Sequence, residues 1–316
     1  MLLSAISQAF LPPFGSSILL LRFFHLFLFE RYWPQEGEVL IRVHAAGVNP
    51  VDWKIRAGWL KDFRSVQFPY IPGLDLAGVV EEIGPGVTAF QKGQAVFGQS
   101  PKGTYTEYTA APVDKLALKP KTLNFDEAAA VPVGATTAWQ GIFDHGGLQA
   151  GQRILIQGAA GGVGLFAVQF ARWKGAHVIG TASTANVDFV RSLGAETVID
   201  YTSTPVEQAV HDVDLVFDAV GGKTLESSLR VLKRGGTLVT IAGQPPEEKV
   251  RERDVRVASF SAQVSSELLH TFAQLIDEGQ VKVVLAEKFP LSQAQQAHER
   301  SQHGHGRGRI VLHTAD

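Results

Sequence analysis

The chain has 316 residues, 45% hydrophobic and 19% charged, with a formal net charge of −2, which is enough to bury a sizeable core, most simply in two globular domains. No basic excess exists to attract nucleic acid or an anionic membrane face by charge alone. The absence of cysteine excludes disulfides, thiolate catalysis and any zinc site built on sulfur, leaving only histidine and carboxylate sites formally open to a metal.

Residues 1–36 form an atypical apolar segment. Its SSILLLRFFHLFLF run is dense in Leu and Phe, with Arg22 and His25 as polar interruptions. A spanning helix needs about 20 apolar residues, and this run is shorter and broken. No positive charge precedes it and no clear small-residue cleavage site follows, which argues against a secretory signal. A membrane or targeting role stays open beside a buried or poorly defined extension.

From Gly37 onward the pattern is that of a soluble enzyme. EVLIRVHAA alternates as a strand, GVNPVDWKIRAG reads as a loop entering a short helix, and IPGLDLAGVVEEIG as a turn followed by a strand. AVFGQSPKGTYTEYTAAP continues the short strands, so residues 37–118 are expected to form a small β-rich domain. The rhythm then changes. FDEAAAVPVGATTAWQGIFD reads as helical after its proline, and RILIQG, HVIGTA, TVID, LVFDAV and TLVTIAG are short apolar strands mostly separated by helical segments. Such alternation predicts an α/β fold with a doubly wound parallel sheet, with ligands gathered at the carboxyl ends of its strands.

The loop ILIQGAAGGVG joins one of these strands to a helical segment. Gly161 would let the backbone approach a pyrophosphate, Gly164 would let the helix pack on the strand, and free N–H groups at the helix start would supply donors. Ala159 stands where the usual fingerprint has its first glycine, with Ala160, Gly162 and Val163 completing the loop. A glycine-rich turn with no ligand is the bland alternative, but the strand before, the helix after and the second strand HVIGTAS argue for a dinucleotide. An NAD site presents a carboxylate about 20 residues further on. Here the strand ends Thr181, Ala182, Ser183, Thr184, with no acid. A carboxylate about 4 Å from a 2′-phosphate would cost roughly 4 kcal/mol per charge pair at an effective dielectric near 20. Its absence allows NADP(H), with Ser183 and Thr184 as phosphate ligands and Tyr201 and Arg309 as additional contacts.

GEVLIRVHAAGVNPVDWKIRAG, PGLDLAGVVEEIGPGV, the GAAGGVG loop with SLGAETVIDY, DAVGG and the terminal HGRGRIVL together resemble the zinc-independent, quinone oxidoreductase branch of the medium-chain dehydrogenase/reductase superfamily, over roughly residues 37–316. The resemblance implies a GroES-like substrate domain (37–118), a Rossmann NADP-binding domain (119–285) and a return of residues 286–316 to the first domain, with the active site in the cleft between the two. The cofactor set it supports also includes Ala219, Val220, Ala242, Gly243 and Phe260. Zinc-dependent relatives carry a cysteine ligand and a Gly-His-Glu motif where this chain has Asn49 and Gly73-Leu74-Asp75. His44, His303 and His305 are the remaining histidines worth testing as ligands, and no second ligand sits at a useful spacing.

Without a metal, carbonyl reduction lacks its Lewis acid, and conjugate hydride addition to a quinone or enone fits better. Asn49, Lys54 and Thr136 are the candidate catalytic donors to the developing oxyanion. Each has a plainer reading: Asn49 before proline can fix a turn, and Lys54, which falls where some relatives carry tyrosine, can be a solvated charge. Family members begin with a strand and a GGPEVL-like turn that residues 1–36 lack, so an altered start is the simplest account. Three expectations result: a cytoplasmic NADPH-dependent enone or quinone reductase acting on small molecules, with a homodimer suggested by the resemblance; a nucleotide-binding sensor or structural protein with little turnover; and a membrane-associated relative.

Overall fold

The computed structural model describes residues 33–61, 66, 68–304 and 306–314; the reading of residues 1–32 therefore lies outside the described residues, as does His305. Two sheets organise the chain. The first contains β1 (Glu38–Val48), β2 (Asp75–Ile83), β3 (Ala95–Gln99), β4 (Tyr108–Pro112) and β5 (Leu116–Leu118). The second contains β6 (Arg153–Gln157), β7 (His177–Ala182), β8 (Thr197–Asp200), β9 (Val213–Asp218), β10 (Leu232–Thr240) and β11 (Arg256–Ser259). The chain then returns, adding β12 (Leu285–Pro290) and β13 (Arg309–His313) to the first sheet.

The first sheet runs β12-β13-β1-β2-β3-β5, with β4 also on β1. Its pairs are antiparallel apart from β12 with β13. The alternation in EVLIRVHAA reflects this, since Val39, Ile41 and Val43 enter one buried cluster with Leu76, Val80 and Phe90. Full burial of each such side chain contributes roughly 1.5–3 kcal/mol. The first strand is thereby locked between elements from both ends of the chain.

The second sheet is parallel, in the order β11-β10-β9-β6-β7-β8. Both faces are covered, which is why Ile154, Leu155 and Ile156 are consecutive and all fully buried. Order reverses beside β6, between β7 on one side and β9 on the other, and an open α/β sheet places its ligand crevice at such a point. Sequence reading underestimated one helical region. A five-residue helix, Phe125–Ala129, precedes the proline as well as the helix Pro132–Trp139 that follows it, because Asn124 and Glu127 form a reciprocal capping box.

Candidate active site

β6 ends at Gln157 and the chain turns at Gly158, whose φ of +74° is a left-handed conformation suited to glycine. Gly158, not position 159, makes the tight turn. Ala159 is fully buried, and its methyl would lie 2.9 Å from a Cβ placed on Gly180 of β7. The expected role of Ala159 is thus corrected: it is a packing residue, and the working spacing is Gly158, Gly161, Gly164. A Cβ on Gly164 would come within 2.1 Å of the Gly158 carbonyl oxygen, so only glycine lets the helix Gly164–Trp173 start this close to the strand. Gly161 meets only the same oxygen, at 3.2 Å.

Among the described residues, the amides of Gly162, Val163 and Gly164 have no hydrogen-bond partner. They flank the start of a ten-residue helix, Gly164 being its first residue and Val163 its N-cap, an arrangement that binds anions through both hydrogen bonds and the helix dipole. The loop therefore fits a pyrophosphate. Ala160 adds a different contact: its carbonyl accepts from Gly308 N at 3.0 Å, tying the returning C-terminal segment to the loop.

At the end of β7 the candidates separate. Thr181 is buried, its hydroxyl donating to Gln157 Oε1 at 2.9 Å and accepting from Gly158 N at 3.1 Å. It shapes the loop and has no hydroxyl hydrogen left for a ligand. Ser183 is half-buried and accepts from Asn186 Nδ2 at 3.1 Å, keeping its own O–H to donate. Thr184 is exposed and donates to Asp200 Oδ2 at 2.6 Å. β7 itself ends without an acid, as its sequence reads, but β8 pairs Asp200 with Ala182 and sets a carboxylate beside that end. Tyr201 is 49% exposed beside it. A cation also lies near the next helix, with the Arg307 guanidinium 5.5 Å from the Phe189 ring centroid.

The carboxyl ends of the other strands complete the rim. Buried Asp218 closes the DAVGG turn, accepting from Val220 N and Gly221 N at 2.9 Å and from the hydroxyls of Thr224 and Ser228 at 2.7 and 3.1 Å. This leaves Ala219 partly exposed and Val220 exposed at the lip, with Val220 Cγ2 over Gly158. Ala242 packs its carbonyl where a Cβ on Gly221 would be, 1.8 Å away, and Gly243 turns with a φ of +104°. Phe260 stacks on His145 with ring centroids 4.3 Å apart.

Arg309 is not at the ribose end. It is 3% exposed, donating from Nε to Ala130 O at 2.8 Å and from Nη2 to Asn49 Oδ1 at 2.8 Å and Asp75 Oδ2 at 3.2 Å. Its expected contact with a 2′-phosphate is corrected, since these bonds hold the guanidinium inside a buried cluster. Gly162 allows this, because a Cβ there would sit 3.0 Å from Arg309 Cδ. Asn49 Nδ2 in turn donates to Asp75 Oδ2 at 2.9 Å, and Val133 N donates to Asp75 Oδ1 at 3.1 Å. The cluster therefore joins the substrate side, the phosphate loop and the start of the helix Pro132–Trp139.

The cluster extends through residues that local pattern did not reveal. Asp52 accepts from Asn49 N at 2.8 Å and from Tyr105 Oη at 3.1 Å, and Tyr105 Oη lies 3.2 Å from His298 Nε2. Asn49 and Asp52 form a capping box on the helix Pro50–Arg56, the one signal that could have found them. Burial pushes the Asp52 carboxyl up to about 7, with the nearby Asp75 charge adding to the rise. Burial also raises Asp75, to about 6, with Arg309 and Asn49 opposing it. His298 is driven down to about 4 by burial and by Arg56, so its ring is neutral at pH 7.

Thr136 is fully buried on the helix Pro132–Trp139, and its Oγ1 has no hydrogen-bond partner among the described residues. Lys54 is half-buried, with Nζ 5.7 Å from the Trp53 ring centroid. A metal does not fit at Asn49, Leu74 and Asp75: a guanidinium already bonds both polar side chains there, and a cation beside it would be repelled. No group of three His, Asp or Glu among the described residues is arranged to hold a metal ion. His44 stacks on Phe125 at 4.3 Å, and His303 Nδ1 is bonded to Glu299 O.

Residues 35–121 match the alcohol dehydrogenase GroES-like domain, and residues 193–312 match the zinc-binding dehydrogenase domain. Quinone oxidoreductase of Mus musculus is 36% identical over 300 residues, covering 88% of this chain and 90% of that one. The 2-methylene-furan-3-one reductase of Solanum lycopersicum is 35% identical over 292 residues, covering 88% and 72%. Among solved structures, Escherichia coli quinone oxidoreductase complexed with NADPH superposes with a TM-score of 0.82 at 29% identity, covering 90% of this chain and 94% of that one. Motifs, paired sheets and relatives together make the chain a member of the medium-chain dehydrogenase/reductase family, in its quinone oxidoreductase branch.

Proposed function

We propose that the chain is a zinc-independent reductase that uses NADPH to reduce a quinone or an α,β-unsaturated carbonyl. The observation that carries this reading is the pairing of a phosphate loop bearing three free amides with a guanidinium that bonds Asn49 and Asp75, the positions the resemblance matches to the zinc-site motifs of zinc-dependent relatives. Bound on the loop, the nicotinamide cofactor supplies the hydride. The amides of Gly162, Val163 and Gly164 hold its pyrophosphate, and Ser183 and the Arg307 guanidinium favour a phosphate on the ribose. Relatives support the choice of cofactor and substrate, since one is named an NADPH-dependent alkenal/one oxidoreductase and another a quinone oxidoreductase.

Charge develops on the substrate oxygen as hydride adds to carbon, and donors fixed in a dry site stabilise it. Two groups in the chain are suited to this. The Thr136 hydroxyl is buried without an internal partner, an arrangement that costs stability unless a ligand uses it. Asn49 is held rigid by Arg309 and Asp75, and its second Nδ2 hydrogen is free to donate. Lys54, engaged with Trp53, serves at the edge of the cleft. No helix of the described residues is long and apolar enough to cross a membrane. The compartment we expect is the cytoplasm, although some relatives carry mitochondrial or chloroplastic names, and the assembly we expect is a homodimer.

The test compares NADPH and NADH against 1,2-naphthoquinone, an alkenal and a simple alcohol, with and without EDTA. NADPH oxidation with the quinone or alkenal, unchanged by chelator, is the expected result. Activity abolished by EDTA would overturn the metal-free reading. Cofactor binding without product across the panel would favour a sensor instead.

A further inference from the structure

The ribose of a bound dinucleotide lies where the second strand of the nucleotide-binding unit ends, which here is β7. Its last turn offers Ser183 and Thr184, and by sequence it is acid-free. Parallel pairing changes that, because β8 is one strand further out and its final residue, Asp200, is in register with Ala182. The carboxylate is held in place: Oδ2 accepts from Thr184 Oγ1 at 2.6 Å, and Oδ1 accepts from Thr202 N at 2.9 Å and Thr202 Oγ1 at 2.6 Å. These donors are neutral, so the negative charge is oriented but not cancelled. The same bonds hold its carboxyl below the usual carboxylate range, those from Thr184 and Thr202 foremost, so it is charged at pH 7.

We propose that Asp200 is a cofactor-specificity residue that weakens the preference for NADPH over NADH, both by charge and by taking up the only hydroxyl hydrogen of Thr184. This rests on the proposed cofactor reading, and it assigns a direction that the strand-end residues alone would reverse. A 2′-phosphate arriving at Ser183 and Thr184 meets a fixed negative charge and a hydroxyl already donating elsewhere. A 2′-hydroxyl meets an acceptor, the role an acid at this end of a nucleotide-binding unit performs for NAD. Arg307, whose guanidinium lies over the Phe189 ring of the helix that follows β7, would act in the opposite sense to Asp200, one retaining NADPH and the other admitting NADH.

The experiment measures dissociation constants of NADPH and NADH, by the fluorescence of the bound reduced cofactor, for the wild type and for Asp200→Asn at low and high salt. Expected is an affinity gain of about tenfold for NADPH, with NADH unchanged or weakened, and a smaller gain at high salt because exposed charges are screened. Equal shifts for both cofactors, or no shift for either, would overturn the proposal. Asp200→Ser removes the same charge with a smaller side chain, and its melting temperature and NADPH-to-NADH ratio guard against a folding defect in the first variant. Failure of the wild type to bind either cofactor would instead refute the cofactor reading itself, so the two failures are distinguishable.

Discussion

Asp52→Asn tests the buried cluster most directly. Asp52 is fully buried, and its carboxyl is pushed up to about 7, first by burial and then by Asp75. In the unfolded chain it releases its proton near pH 4. Between these values the native state binds more protons than the unfolded state, so stability falls as pH rises from about 4 to about 7. Asparagine mimics the protonated acid, and its oxygen still accepts from Asn49 N and Tyr105 Oη, the two bonds Asp52 makes in the folded protein. The variant should therefore gain on the wild type as pH rises. At 1.36 kcal/mol per unit of displacement, the difference in unfolding free energy should grow by about 3 kcal/mol between pH 5 and pH 8. Urea unfolding followed by tryptophan fluorescence at half-unit pH steps measures this. Parallel stability curves for the two proteins would refute the reasoning, because they would mean that Asp52 ionises alike in both states.

The other outcomes follow from the same geometry. Arg309→Met strands the buried Asp75 carboxylate and should lose about 3–5 kcal/mol, with part recovered in Arg309→Met/Asp75→Leu; a double variant no more stable than the single, by urea unfolding, would contradict the pairing. Gly164→Ala places a methyl 2.1 Å from the Gly158 carbonyl oxygen and should abolish NADPH binding together with several kcal/mol of stability, measured by titration and melting temperature. Thr136→Val removes a hydroxyl that has no partner in the protein, so the melting temperature should hold or rise while kcat falls by roughly tenfold to a hundredfold; equal loss of both would make Thr136 merely structural.

Legibility in the sequence tracked how local each feature is. β6, its glycine loop and the following helix were readable because a buried run, a turn and a helical period follow one another within about 20 residues. The tight turn at Gly158 is not legible in the glycine pattern of the loop, because backbone conformation decides which glycine turns the chain. Asp200 was invisible to a search along β7 because a parallel sheet sets side by side residues that a whole helix separates in sequence. Arg309 was misplaced for the same reason: its partners Asn49 and Asp75 lie 260 and 234 residues away, and no period connects them. Buried charge pairs of that separation are products of tertiary packing, and only the pattern of unpaired donors and acceptors reveals them.

β13 and the residue before it serve two structures at once. Val311 and Leu312 pair with β1 of the first sheet, while Gly308 N donates to the Ala160 carbonyl of the phosphate loop. One short stretch of chain thus tethers the antiparallel sheet to the loop at the edge of the parallel one, and a backbone cut between Gly308 and Arg309 would separate the two supports.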